Sequence, residues 1–505
     1  MRRLSPRALW PAALSILLTC SDDTGVIPPS TPILAHRPNI ILILSDDEDV
    51  GIHAFLPKTK ALLHDKGTTL TNFFTTYSLC CPARASILLG QYPHNTKVES
   101  NAPPSGGYLQ FRNLGREQTT VATWLQKAGY RTILIGKYLN GYDASVAGVA
   151  PPGWTDWVAA LGTQPASGFN YSLDENGAFV NFGAAPADFL TDVIASKAVA
   201  AIRQAAQDDA PLFLYLAPFT PHQPAGFAPR HAGLFTTTPL PILPNYNEKN
   251  VSDKPLAIRS LPLLGSGAVT SLGRVYQNRL RSLQSIDDLV DSVVTTLKAV
   301  HKLDKTWIFY VSDNGFHMGA HRSRIGKNLP YEEDLRVPFV VRGPGVPAGR
   351  VVNEIGLNID LASTFAEIAK VTPTVAQDGR SLVPLLTGTG APGWRQSFQA
   401  EKGSEDTTSI FIAADATNPQ VELGDDATSL PGLGWNAIRS ARWKYVEWGT
   451  GERELYDLTA DPYEMSNLLF VGGDTTAVPT LSTRLHQLMT CGGPSCAMLE
   501  NLPVP

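Results

Sequence analysis

The residues of this chain best suited to chemistry are two oxygen-rich pairs, Asp46-Asp47 and Asp313-Asn314. Taken singly, an Asp-Asp pair after an apolar run also reads as a helix N-cap, because its carboxylates accept the free amides of a first helical turn. Taken together, four hard oxygen donors brought to one point are the composition that Ca²⁺ or Mg²⁺ requires, unlike the Cys/His sets that hold zinc. Lys137 also follows an apolar run, and the stretch Cys80-Cys81-Pro82-Ala83-Arg84 sets two thiols beside an arginine. Adjacent cysteines rarely bridge each other without strain, so this pair needs an account other than a disulfide.

These groups need a scaffold that brings them to one place. Five apolar runs, 39–45, 132–136, 212–216, 307–311 and 337–341, are short, β-branched or aromatic, and do not alternate with polar residues. Continuous apolarity of this length implies burial on both faces, as in a parallel sheet covered by helices. Between the first two runs, Val121, Trp124, Leu125 and Ala128 recur at helical spacing, which predicts a helix with Thr119 or Thr120 as N-cap and Gly129 as stop. A second helix is expected over 276–303, with Leu280, Leu283, Ile286, Leu289 and Val290 on one face. Such alternation argues for an open α/β sheet, and these sheets bind ligands beyond the carboxyl ends of their strands. Asp46-Asp47, Lys137 and Asp313-Asn314 each follow a run and fall on that edge.

Segments 143–190 and 223–270, rich in Pro, Gly and Ala, read as long loops over the site. From about residue 395 the texture changes: 437–447 alternates like a half-exposed strand, 454–458 follows a turn, and 481–489 reads as a closing helix. The expected organisation is a catalytic domain over 37–395 and a smaller α+β subdomain over 396–505 with an antiparallel sheet.

Residues 1–20 stand apart. Arg2, Arg3 and Arg7 precede an apolar stretch shorter than the roughly 20 residues that span a bilayer, which fits a secretory signal cleaved near Cys20. Leu17-Leu18-Thr19-Cys20 leaves two readings open, a lipoprotein signal with a lipid anchor on Cys20 or a plain cleaved signal. The whole chain has 505 residues and a formal charge of −5; without residues 1–20 it keeps 38 basic against 46 acidic residues, a charge of −8. That balance supplies no electrostatic footprint for nucleic acid. Cys491 and Cys496 flank Gly-Gly-Pro-Ser, a spacing that suits a small disulfide but equally leaves two free thiols open.

Cys80-Cys81-Pro82-Ala83-Arg84 resembles the type I sulfatase signature Cys-x-Pro-x-Arg, whose first cysteine is oxidised to formylglycine, and it lies about 35 residues after a strand ending in Asp-Asp, as in that family. Further stretches resemble successive sulfatase blocks in order: Pro38 to Asp47, Gly136-Lys137, Ala217 to His222, Ser312 to Gly319, Gly326-Lys327, Arg336 to Phe339, and Glu454 to Glu464 with Asn467-Leu468. Gly136-Lys-Tyr-Leu-Asn-Gly141 and Cys-Cys-Pro look nearest to the N-acetylglucosamine-6-sulfatase branch.

The resemblance implies an α/β, alkaline-phosphatase-like fold with a mixed, mainly parallel sheet, and hydrolysis of sulfate esters, either of a sulfated sugar such as 6-sulfated glucosamine or of aryl sulfates. It implies that Asp46, Asp47, Asp313 and Asn314, with modified Cys80, hold a divalent cation, Ca²⁺ or alternatively Mg²⁺. A hydrated aldehyde at Cys80 carries two hydroxyls on one carbon: one attacks sulfur, and loss of the other's proton expels sulfate, whereas serine would leave a stable ester. Arg84 would orient the hydroxyl, Lys137 and Lys327 would pair with sulfate oxygens, and His222 would bind substrate and protonate the leaving alcohol. Many sulfatases carry a histidine where this chain has Leu139; His317 is the candidate for its duty and His321 a weaker one. His94 and Asn95 are read as structural. The implied partners are a sulfated small molecule or glycan and a formylglycine-generating enzyme, and the expected location is secreted, periplasmic or cell-envelope. Two alternatives remain open: a phosphonate monoester or phosphodiester hydrolase using the same nucleophile, and a catalytically silent glycan-binding lipoprotein.

Overall fold

The computed structural model describes residues 37–162, 164–403 and 434–505; the signal-like segment and Cys20 lie outside the described residues. The main sheet has ten strands. In chain order they are β1 Asn39–Ser45, β2 Thr68–Leu70, β3 Arg131–Gly136, β4 Asp156–Ala160, β5 Tyr171–Glu175, β6 Ala178–Phe182, β7 Leu212–Ala217, β8 Thr306–Ser312, β9 Phe339–Arg342 and β10 Arg350–Val352. Their spatial order is β10-β2-β9-β8-β1-β7-β3-β4-β5-β6. From β8 through β4 all neighbours run parallel. The expected α/β sheet, mixed and mainly parallel, is therefore present.

Successive side chains of β1 divide between two cores, as the two-residue period of a strand requires. Ile40, Leu42 and Leu44 join one apolar cluster with Val121, Trp124 and Phe365, while Ile41 and Ile43 join another with Ile194, Leu283 and Leu289. The first face is covered by helices α1 Cys80–Leu89, α2 Val121–Lys127 and α5 Asp360–Ala369, the second by α3 Leu190–Ala205 and α4 Ser266–Ala299. Thr120 caps α2, its side chain accepting from the Thr123 amide. Helix α4 begins ten residues before the expected 276, because Ala268 and Leu272 pack on Phe316 and Ile325 in a satellite cluster.

Three expectations change. The run 337–341 contributes β9, which pairs antiparallel with β8, since apolarity reports burial but not strand direction. Segment 143–190 contains β4, β5 and β6, which extend the sheet; β6, Ala-Phe-Val-Asn-Phe, is mostly exposed, so its short apolar run stands on the sheet edge and not in a buried core. Finally, 437–447 spans two strands: an antiparallel sheet, β11 Ser397–Lys402, β12 Trp435–Ser440, β13 Trp443–Trp448 and β14 Arg453–Asp457, turns between β12 and β13 at Ala441-Arg442. Both faces of that hairpin are covered, and its Trp435 and Tyr445 share a core with Phe74, Tyr92 and Leu357 of the main body. The helix expected over 481–489 is α6 Val478–Leu488, and a further helix, Pro494–Glu500, follows it. Cys491 and Cys496 form a disulfide. The Cys491 carbonyl accepts from Asn95 Nδ2 at 2.9 Å and lies 3.0 Å from His94 Nε2, so these two residues fasten the C-terminus.

Candidate active site

Parallel strands end at the same edge, so the loops after β1, β8, β7 and β3 converge. Ser45 is level with Ser312, and Gly136 with Ala217. Gly136 takes φ +116°, and a Cβ there would lie 2.1 Å from the Ala217 carbonyl oxygen, so only glycine lets β3 end there and deliver Lys137. Cys80 is the first residue of α1; Pro82 is tolerated in the first turn, and Gly90 at φ +68° ends the helix. Every residue of α1 is buried, and its amino end, the positive end of the helix dipole, points the Cys80 position at this edge.

Within that edge, Cys80 Sγ lies 3.4 Å from Asp46 Oδ1 and 3.9 Å from Asp47 Oδ1, and Lys327 Nζ is 2.7 Å from the sulfur while also bonding Asp47. Lys137 Nζ donates to Asp46 Oδ2 at 2.5 Å. Arg84 Nε donates to Asp313 Oδ2 at 2.9 Å, and Nη1 to the Lys137 carbonyl at 3.2 Å. Asn314 Nδ2 donates to Asp47 Oδ1 at 2.7 Å. Asp313 Oδ1 accepts from the Asp47 and Asn314 amides at 3.1 and 2.8 Å. Three carboxylates thus face three cations in a buried cluster.

Burial would raise the Asp46 carboxyl, but Lys137, His222, Arg84 and Lys327 outweigh it and hold the group well below the usual carboxylate range. Asp47 is likewise lowered, with burial overcome chiefly by Lys327 and His222. Burial together with the charge of Asp46 raises Asp313. Both lysines stay charged: burial works against them, but Asp46 raises Lys137, and Asp47 raises Lys327 far above its ordinary value. Burial and Asp46 push the Cys80 thiol far up, so as encoded it is a protonated, weak nucleophile.

The residues present fit a hard divalent cation. Asp46, Asp47, Cys80 and His222 offer ligand atoms within 4.8 Å of one another. Asn314 Oδ1 is buried with no hydrogen-bond partner among the described residues, as a carbonyl oxygen reserved for a cation would be. Asp313 takes three N–H bonds on its two oxygens, leaving acceptor capacity for one more partner.

His222 is half-buried; its Nδ1 lies 2.7 Å from the Gln223 carbonyl and therefore carries the proton, while Nε2 lies 3.6 Å from Asp47 Oδ2. It borders an open cavity together with Lys137, Leu139, Asn140, Tyr142 and Phe219. Tyr142 is fixed by donating to Asp174 Oδ2 of β5 at 2.7 Å. His317 pairs with Gly326, the neighbour of Lys327, in a short antiparallel ladder. Its Nδ1 is 2.8 and 3.0 Å from the two oxygens of Asp334, and its Nε2 is buried without a partner among the described residues. His321 turns elsewhere, to Glu248 Oε2 at 2.7 Å, and burial lowers it to about 3. Sequence reading missed Asp334, one acid in Glu-Glu-Asp-Leu, and Asn140, whose buried Oδ1 also lacks a partner among the described residues. Asp334 carries no local signal beyond its residue type, whereas Asn140 lies in the Gly136-Lys-Tyr-Leu-Asn-Gly141 stretch but was given no role of its own.

A family profile described as Sulfatase matches residues 38–371. The chain belongs to the sulfatase family. It is similar to an arylsulfatase of Volvox carteri, 35% identical over 516 residues covering 92% of this chain and 77% of the relative. It is similar also to the N-acetylglucosamine-6-sulfatase of Homo sapiens, 32% identical over 520 residues covering 98% of this chain and 92% of that one. Among solved structures, one in complex with its substrate D-glucosamine-2-N,6-O-disulfate superposes with a TM-score of 0.72 at 22% identity, covering 89% of this chain and 97% of the other. The sulfatase is accordingly a sulfuric ester hydrolase with an alkaline-phosphatase-like fold, and its relatives include the N-acetylglucosamine-6-sulfatase branch.

Proposed function

We propose that this sulfatase removes sulfate from a sulfated sugar of the 6-sulfated glucosamine class through a formylglycine made from Cys80, with a divalent cation, Ca²⁺ or Mg²⁺, held by Asp46, Asp47, Asp313, Asn314 and that residue. The observation that carries the reading is the position of the Cys80 sulfur, buried at a helix amino end within hydrogen-bond reach of Lys327 and Asp46. Hydrated formylglycine would supply one hydroxyl to attack sulfur and a second whose deprotonation would expel sulfate, and a cation held by Asp46, Asp47, Asp313 and Asn314 would polarise a sulfate oxygen.

The chain's own residues supply the rest. Lys137 and Lys327, kept charged by their carboxylates, pair with sulfate oxygens and offset the charge that builds up in the transition state. Arg84 is locked on Asp313 and the Lys137 carbonyl and orients the hydroxyl beside it. His222, open to the cavity, binds the ester and, when it carries a second proton on Nε2 besides the Nδ1 proton held by the Gln223 carbonyl, protonates the leaving alcohol from Nε2. His317, oriented by Asp334, accepts the second hydroxyl's proton at Nε2. With three carboxylates facing three side-chain cations, a bound divalent ion leaves the site net positive, which favours an anionic ester.

The name of the human relative supports a 6-sulfated glucosamine substrate, and the extracellular sulfatase homologues support secretion. No helix among the described residues is long and apolar enough to cross a membrane. A domain boundary near residue 395 is part of the same proposal. Mass spectrometry of the peptide containing Cys80, joined to turnover on a panel of sulfated mono- and oligosaccharides and a matched aryl phosphate diester, tests the reading. An aldehyde at position 80 with fastest release from 6-sulfated glucosamine is expected. An intact thiol in active enzyme, or faster diester turnover, overturns it.

A further inference from the structure

One buried arginine outside the proposed ligand set joins the two loops that carry the oxygen donors. Arg279, in the middle of α4, is fully buried. Its Nη2 donates to the Asp47 carbonyl at 2.6 Å and to Asp49 Oδ2 at 2.9 Å, and its guanidinium carbon lies 4.1 Å from the centroid of the Phe316 ring. Asp47 and Asp49 belong to the loop after β1, whereas Phe316 follows Asn314 by two residues in the loop after β8. Asp49 is itself pinned, because its Oδ1 accepts from the Ile52 amide at 3.1 Å.

For packing alone this is a poor place for an arginine. Nε and Nη1 are buried without a partner among the described residues, a cost that an apolar side chain of similar size would avoid. What the guanidinium adds is a directed bond to the main chain of a proposed ligand residue. Asp47 stands at φ +65°, in the left-handed region that a side chain with a Cβ enters only when its surroundings hold it there. Turning that peptide back would swing the Asp47 carboxylate away from Asn314 and Lys327, which it now meets.

We propose that Arg279 is a positioning residue for the cation site: it holds the Asp47 carbonyl, and through it the aim of the Asp47 carboxylate, and braces the loop after β1 against Phe316. The inference rests on the cation reading given above. Partners that orient metal ligands are typically worth about 10–100-fold in metal affinity when removed.

The test is isothermal titration of the full-length, metal-stripped protein with Ca²⁺, and in parallel with Mg²⁺, well below the melting temperature. Arg279→Met should bind about 10–100-fold more weakly than wild type. Arg279→Lys, which keeps one donor able to reach the carbonyl, should fall between the two. Leu283→Ala, in the same helix and fully buried, is the control: it should lower the melting temperature and leave the cation affinity unchanged. If Arg279→Met does not fold, the position of Arg279→Lys decides, supported by Asp49→Asn, which loosens the same clamp and should also weaken binding. Folded variants that bind Ca²⁺ as wild type does, or a Leu283→Ala affinity that drops equally, overturn the positioning role and leave the cation reading intact. A wild-type protein that binds neither cation overturns the cation reading itself.

Discussion

The base assigned to His317 is the most exposed step of the mechanism, and Asp334→Asn tests it. Asp334 has two acceptors and three bonds: Oδ1 and Oδ2 face His317 Nδ1 at 2.8 and 3.0 Å, and Oδ2 also takes the Leu329 amide at 2.8 Å. An ionised Asp334 therefore keeps the proton on Nδ1 and a lone pair on Nε2. In the asparagine variant the one remaining oxygen is claimed by the Leu329 amide, so the new NH₂ faces His317 Nδ1 and donates to it. The ring answers by moving its proton to Nε2, where it can no longer accept one, and the charge that would stabilise an imidazolium is gone. General base catalysis contributes about 10²–10⁴-fold, so kcat on a chromogenic aryl sulfate should fall in that range. The fold should persist, because a lost bond to a charged group costs only about 1.5–3 kcal/mol. His317→Gln should lose a similar factor, and the double variant should lose no more than either single one, since the two residues act as a unit. A kcat for Asp334→Asn within about threefold of wild type, or losses that multiply in the double variant, would refute the reasoning.

Four further outcomes are expected. Turnover should rise in proportion to the fraction of chains carrying an aldehyde at position 80, measured by mass spectrometry on preparations made with different amounts of formylglycine-generating enzyme; activity independent of that fraction removes Cys80 from the chemistry. Lys327→Met should lower kcat by about 10²–10³, the usual loss for one preorganised charge donor, and a drop under about tenfold would deny it that role. Chelation should abolish turnover and lower the melting temperature, and Ca²⁺ or Mg²⁺ restored to about 100 times its dissociation constant should return roughly 2.7 kcal/mol of stability; a melting curve blind to both cations counts against the oxygen cage. Burial pushes the Glu248 carboxyl up from its ordinary 4.5 to about 7, against the pull of Lys254. Its contribution to stability is therefore complete below the unfolded value and is lost as pH rises through about 7. Glu248→Gln escapes that loss, so its melting temperature relative to wild type should climb between about pH 5 and pH 8. An offset that does not change with pH would contradict the buried-carboxyl account.

Much of the scaffold could be read from the sequence because its signals are local. A run such as 39–45 is apolar at nearly every position because both faces of β1 are covered, and Thr120 and Gly129 mark the ends of α2 through backbone preferences that need no distant partner. The same holds for the placement of Asp46-Asp47 and Asp313-Asn314 at strand ends, and for the Cys-x-Pro-x-Arg stretch that opens α1. Other parts could not be read in this way. β6 is a five-residue, mostly exposed edge strand whose place in the sheet rests on pairing with β5, and β9 gave away its burial but not its direction, because direction is set by the connection and not by the residues of the strand.

Residue types and spacing by themselves pointed to the α/β class and to the strand edge that carries Asp46-Asp47, Lys137 and Asp313-Asn314, whereas Cys80, Arg84, His222, His317 and Lys327 were singled out by the resemblance to the sulfatase blocks. Only the tertiary structure decided which of those groups meet. Lys327 reaches Cys80 across 247 positions and Arg84 reaches Asp313 across 229, distances in sequence over which no local pattern carries information. Arg279 and Asp334 are the extreme case: each looks like an ordinary polar residue on a helix, and each acquires its meaning from a carbonyl or an imidazole brought to it by packing. Short-range backbone and hydrophobic preferences are written residue by residue, whereas the pairing of buried charges is a property of the assembled interior, where leaving any one of them alone is what the fold must avoid.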